Sequence, residues 1–138
     1  MSLSTPSLTL QASALSFLSL SIGHTLCVLI PLFVLQLSGK EWTANKAFKS
    51  ISGSQPWACG TVGWYQGSAF FFVTGLLHYQ WSQNSVAFQD PINKAIAGII
   101  NILLWTSSAW YAKYGVKQNA WAVGLSAALQ AWGVINSL

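Results

Sequence analysis

Few side chains in this sequence can do acid–base or metal chemistry. There are two histidines, His24 and His78, two carboxylates, Glu41 and Asp90, two cysteines, Cys27 and Cys59, and no arginine. No CxxC pair and no Cys/His cluster at metal-ligand spacing is present, so neither thiol redox chemistry nor a zinc site is expected. A glycine loop for phosphate and an ordered Ser/His/Asp set are missing too, and no metal or other cofactor is expected. The remaining chemistry is proton transfer to a hydrophobic substrate. A carboxylic acid or imidazolium in an apolar cavity can protonate an epoxide or alkene, while an imidazole or glutamine positions the attacking hydroxyl or water.

The elements that must hold such groups follow from where charge is absent. Residues 1–39, 50–89, 95–112 and 118–138 carry no charged side chain, and all eight charges fall in residues 40–49, 90–94 and 113–117. A soluble domain carries about a quarter charged residues; here the share is 6%, with 53% hydrophobic. Uncharged runs of about 20 residues match a hydrocarbon core of about 30 Å. Continuous Leu- and Ala-rich runs, without the ~10-residue alternation of a barrel, predict helices. The expected fold is all-α: one four-helix transmembrane bundle over the whole chain, with spans at about residues 10–37, 58–79, 91–111 and 119–136 and both termini on the lumenal side. Without Lys or Arg ahead of it, the first span is expected to be an uncleaved anchor rather than a signal peptide. Pro31 should kink it.

Polar residues within the spans are the candidate site. At 1.5 Å per residue, Gln66 and Asn101 lie about 12 and 16 Å from the cytosolic ends of their helices, and His24 and Gln130 about 20 Å. His78, Gln80, Asp90 and Asn136 fall near the lumenal rim. Together they suggest a cup open toward the lumen, with His24 and Asp90 as acid and base and Gln66, Asn101 and Gln130 contacting substrate. Each has a structural alternative. A lone Gln or Asn in a span is an interhelical hydrogen-bond partner. Asp90 before Pro91 is a helix N-cap. His78 is a solvated interfacial side chain. The spacing of Gly63 and Gly67 suits close helix packing.

Eight tryptophans, seven phenylalanines and four tyrosines accompany these groups. Trp42, Trp57, Tyr79, Trp81, Tyr111 and Tyr114 fall at span boundaries as interfacial belts. Trp64, Trp105 and Trp132 lie deeper. Trp64 and Trp105 are candidate walls for a greasy substrate, able to stabilise a developing cation.

The segment Trp57-Ala58-Cys59-Gly60-Thr61-Val62-Gly63-Trp64-Tyr65-Gln66-Gly67-Ser68, the Gly23-His24-Thr25 step and the four-span size resemble small multi-pass proteins of fungal secondary-metabolite clusters. Among these are the membrane epoxide hydrolases and cyclases of aurovertin- and citreoviridin-type polyketide pathways. The resemblance implies opening of epoxides that a flavin monooxygenase has installed on a polyene, giving hydroxylated cyclic ethers, in the endoplasmic reticulum membrane. The Asp/Arg/Asp arrangement of soluble epoxide hydrolases cannot exist in a chain without arginine. Other readings remain open: a non-catalytic assembly or scaffold protein, or a sterol or terpenoid isomerase-like enzyme, although the spans hold no buried carboxylate pair. A nucleic-acid partner is not expected, because the lysines form no basic run.

Lysine placement predicts orientation. Lys40, Lys46, Lys49, Lys113 and Lys117 lie on one side and Lys94 on the other, which puts the first group in the cytosol. A glycosylation acceptor added after Leu138 should be modified in microsomes; modification of one inserted in residues 40–49 instead would invert the topology.

Overall fold

The computed structural model describes residues 7–26, 49–84 and 86–138. Among them are four α-helices, one short 3-10 turn and no strand: α1 (Leu8–Leu26), α2 (Gln55–Ser82), the turn at Ala87–Gln89, α3 (Pro91–Lys113) and α4 (Lys117–Ile135). The expected Pro31 kink, Cys27, Glu41, Trp42 and the lysines at 40 and 46 lie outside the described residues.

Local chemistry sets the helix ends. Ser54 caps α2 by accepting from the Trp57 amide at 3.3 Å, with a proline in the first helical turn. Asp90 caps α3 through Oδ1, which accepts from the Ile92 amide at 2.8 Å, and Pro91 opens the helix, a position where its missing N–H costs nothing. The turn into α4 is a Schellman closure. Gly115, at φ 78°, donates to the Ala112 carbonyl at 3.1 Å, and Val116 donates to Tyr111 at 2.9 Å. The positive φ makes glycine the natural residue there.

The helices run up and down. Ser7 at the start of α1 donates its amide to the Ser82 carbonyl at the end of α2 (2.9 Å), and its hydroxyl lies 3.5 Å from Ser137 beyond α4. One end of the bundle therefore holds the starts of α1 and α3 and the ends of α2 and α4. The other end holds the α3–α4 turn. In cross-section the order is α2, α1, α4, α3: α1 packs most extensively on α2, α3 on α4, and α1 also on α4, while α2 and α3 make little contact.

Polarity is distributed inside out. The buried set includes Ser13, Ser21, Ser68, Thr74, His78, Ser126 and Gln130 beside Leu10, Phe17, Trp81, Phe88 and Leu104. Large apolar side chains face outward on all four helices, among them Leu15, Val73, Ile102, Trp121 and Leu125. The serines of α1 stitch the helices together. Ser13 donates to the Leu129 carbonyl (3.1 Å), Ser16 pairs with Ser126 (2.7 Å), and Ser21 donates to the Ser68 carbonyl (2.9 Å). Among the described residues, α3 is the one helix long and apolar enough to cross a membrane. In the other three, serine, glycine and glutamine dilute the hydropathy on which the four-span reading depends.

The close approaches are not where the Gly63/Gly67 spacing suggested. A Cβ at Gly63 would meet nothing within 4 Å. At Gly75 it would lie 2.8 Å from Leu18 Cγ and 3.1 Å from the Ala14 carbonyl, so Gly75 is where α1 and α2 touch. Overpacking of this kind costs ~1–3 kcal/mol, whereas alanine for an exposed helical glycine gains up to ~1 kcal/mol. Gly75→Ala should therefore lower thermal stability in detergent and Gly63→Ala should leave it level or raise it. Equal effects at the two positions would contradict this packing.

Candidate active site around His24

His24 lies in the last turns of α1, and α2 holds it on several sides. Its Nδ1 is 2.8 Å from Ser68 Oγ. Its ring stacks on Trp64, with centroids 3.5 Å apart and planes 13° from parallel, and meets Phe71 edge-on at 5.9 Å. Trp64 Nε1 donates to the His24 backbone carbonyl at 2.9 Å, tying the indole to α1 as well as to the imidazole. The spacing on α2 explains the clamp. Trp64, Ser68 and Phe71 follow one another at four and three residues, one face of a helix, and Gly67 beside them has no side chain to displace the imidazole. A Cβ at Gly67 would lie 3.4 Å from His24 Cε1 and 3.9 Å from Nε2. Gly67 thus makes room for a ring rather than for a neighbouring backbone.

With Nδ1 engaged, Nε2 is the nitrogen left free on the Gly67 side. Ser68 Oγ also lies 3.4 Å from the Trp64 carbonyl. If the hydroxyl donates there, Nδ1–H donates to Ser68 and Nε2 carries the lone pair; the tautomer of such a ring follows from its neighbour. Ser68 is buried and does not line the cavity, so it orients His24 and is not placed to act as a nucleophile.

The clamp forms one wall of a cavity of about 790 Å³ in the gap between α2 and α3. Glycines 60, 63 and 67 hollow out the α2 side; Leu103, Leu104, Ser107 and Tyr111 of α3 stand opposite, with Asn119 and Val123 of α4 at the back. The cavity runs from mid-bundle toward the α3–α4 turn, where Gly115 and Val116 border it. It therefore opens at the end opposite Asp90, not toward the Asp90 rim. The opposite half is filled by Phe17, Trp81 and Phe88.

The structure separates the sequence-derived residues. His24, Trp64 and Gln66 share the cavity wall. Asn101 and Gln130 do not line it: Asn101 Nδ2 donates to Gln130 Oε1 and to the Ala127 carbonyl (3.0 Å), and Gln130 Nε2 donates to the Ala97 carbonyl (3.0 Å). They form a polar clasp between α3 and α4. Trp105 is half exposed on the flank of α3 near Gly124. Asp90, exposed, caps α3 at the far end and is not brought to His24. His78 is fully buried rather than interfacial. Its Nδ1 donates to the Thr74 carbonyl at 2.8 Å, its ring packs against Phe17 and Trp81, and its Nε2 has no partner. Sequence reasoning missed the roles of Ser68, Tyr111, Ser107 and Asn119. Serines are too common in this chain to stand out, and Tyr111 looks like a belt residue until α3 is packed.

Among the described residues no group of three or more His, Cys, Asp or Glu is placed to hold a metal ion. Compared with protein-family models, with curated proteins and with solved structures, the chain finds no match in any of the three.

The clasp is testable apart from the cavity. Replacing Asn101 by leucine leaves Gln130 Oε1 unpaired inside the bundle, a loss of about 1–3 kcal/mol. Asn101→Leu and Gln130→Leu should each lower stability in detergent. The double variant should lose less than the sum of the two, since paired residues are not additive; additive losses would mean that the two side chains do not interact.

Proposed function

We propose that the chain is a multi-pass protein of the endoplasmic reticulum membrane that opens epoxides on a hydrophobic polyketide-like substrate, with His24 as the base. What supports this reading is the single free imidazole edge at His24, held by Ser68 and Trp64 at the wall of a mostly apolar cavity. Its size suits a drug-sized ligand, for which pockets run about 300–1,000 Å³. Apolar side chains facing outward on all four helices support four spans, and in α3 only 17% of the most apolar window is buried.

The chemistry balances with the groups at hand. Nε2 takes the proton of a water or substrate hydroxyl as its oxygen forms a bond to one epoxide carbon. The carbon–oxygen bond of the ring breaks, and the departing oxygen takes a proton from the Tyr111 phenol, which lines the same cavity from the α3 side. Proton exchange between imidazolium and phenolate resets the site. Water as nucleophile gives a diol; a hydroxyl of the substrate gives a hydroxylated cyclic ether. Gln66 and Asn119 supply neutral hydrogen bonds, and the Trp64 ring backs the imidazole. No cofactor is used. A flavin monooxygenase of the same pathway is the partner that would supply the epoxide.

Expression in yeast microsomes with an epoxidised polyene, followed by mass spectrometry, tests the proposal. His24→Ala should lower turnover by about 10²–10⁴-fold, the usual loss for a positioned base, and Tyr111→Phe should impair it as well. Asp90→Asn keeps a good N-cap and should remain active. An inactive Asp90→Asn beside an active His24→Ala would move the chemistry to the other end of the bundle.

A further inference from the structure

A second cavity, of about 360 Å³, lies between α1 and α4, on the other side of His24. The two cavities share five wall residues, His24, Phe71, Tyr111, Asn119 and Val123, so one thin partition separates them. The second cavity arises because α1 and α4 converge at one end only. At Gly133 a Cβ would lie 3.1 Å from Leu10 Cδ2 and 3.4 Å from the Leu10 amide nitrogen, and the Ser16–Ser126 bond marks the last close tie. Beyond it the helices part, and a Cβ at Gly23 would meet nothing within 4 Å.

The polar tips of the partition, His24, Tyr111 and Asn119, have apolar wall on either side. Phe70, Leu103 and Leu104 line the first cavity, and Leu20, Ala122 and Leu125 the second. A compact ligand would find its reactive group at the end of one chamber. Here the reactive imidazole stands between two chambers, which fits a chain with its oxygen in the interior and carbon on both sides.

We propose that the two cavities are the arms of one passage, and that the substrate is an elongated apolar chain lying across the His24 partition, its internal oxygen function at Nε2 and carbon in both arms. The proposal rests on the reading of His24 as the reacting base. Phe71 and Val123 are the apolar side chains of the partition that must yield to admit the chain.

Two probes separate the possibilities: an epoxide carrying an octyl chain on each carbon, and one carrying octyl on one carbon and methyl on the other. The full-length protein in nanodiscs should turn over both. Gly23→Leu, whose side chain enters open space in the second arm, should lower the two-armed to one-armed ratio of kcat/KM by about tenfold, an effect of about 1.4 kcal/mol. Ala122→Phe, from the opposite wall of that arm, should shift the ratio the same way. A ratio unchanged in both variants, or a wild type that accepts only the one-armed probe, overturns the passage. A diazirine-tagged two-armed probe, displaced by its untagged form, reads occupancy without turnover. Displaceable labelling of peptides from both arms with no product would overturn the epoxide chemistry while upholding the passage. No displaceable labelling and no turnover of either probe would overturn both.

Discussion

The helices of this bundle are held by short polar side chains that reach across to a neighbour's backbone, and such a reach works only where two helices nearly touch. Serine has one carbon between backbone and hydroxyl, so the bonds from Ser13 to Leu129 and from Ser21 to Ser68 set the approach of α1 to α4 and to α2. Gly75 and Gly133 permit it, since a Cβ at either would press on α1. Asn101 and Gln130, with longer side chains, do the same between α3 and α4. In the proposed bilayer setting these bonds matter more than apolar burial, because lipid tails compete with leucine on equal terms.

The cavities follow from where those ties are absent. No comparable contact joins α2 to α3, and α1 and α4 part beyond Ser16 and Ser126. Both gaps lie toward the α3–α4 turn. The opposite half is closed by Phe17, Trp81 and Phe88, which occupy the space that glycines leave open around residues 60–67. Among the described residues, the bundle is thus tied at one half and parted at the other.

The two histidines show how far surroundings decide chemistry. Both are on helices and both engage Nδ1, His24 with Ser68 and His78 with the Thr74 carbonyl. Around His78 the aromatic rings of Phe17 and Trp81 pack against the imidazole, and the second nitrogen is buried outside the walls of both cavities. At His24 one face is covered by Trp64, and the edge beside Gly67 borders open volume. One ring is enclosed packing; the other has a free nitrogen at a chamber wall.

Much was legible along the chain. Uncharged runs between charged segments imply helices close to the observed bounds of α2, α3 and α4, and Asp90–Pro91 and Gly115 carry their cap and turn chemistry locally, because such signals depend only on residues a few positions apart. His24, Trp64 and Gln66 could be picked out as polar or large residues within apolar stretches. Which of these share a wall could not, since that depends on how each helix is rotated about its axis and which neighbour it meets. Depth along a span placed Gln130 and Asn101 with the candidate site, yet rotation turned them toward each other. The same depth rule grouped His24 with Asp90, while the antiparallel packing that sets Gly67 against His24 leaves Asp90 at the far end. Composition and spacing determined the helices and their caps; only tertiary packing decided which face of each helix looks into empty space, because that is settled by contacts among residues far apart in the chain.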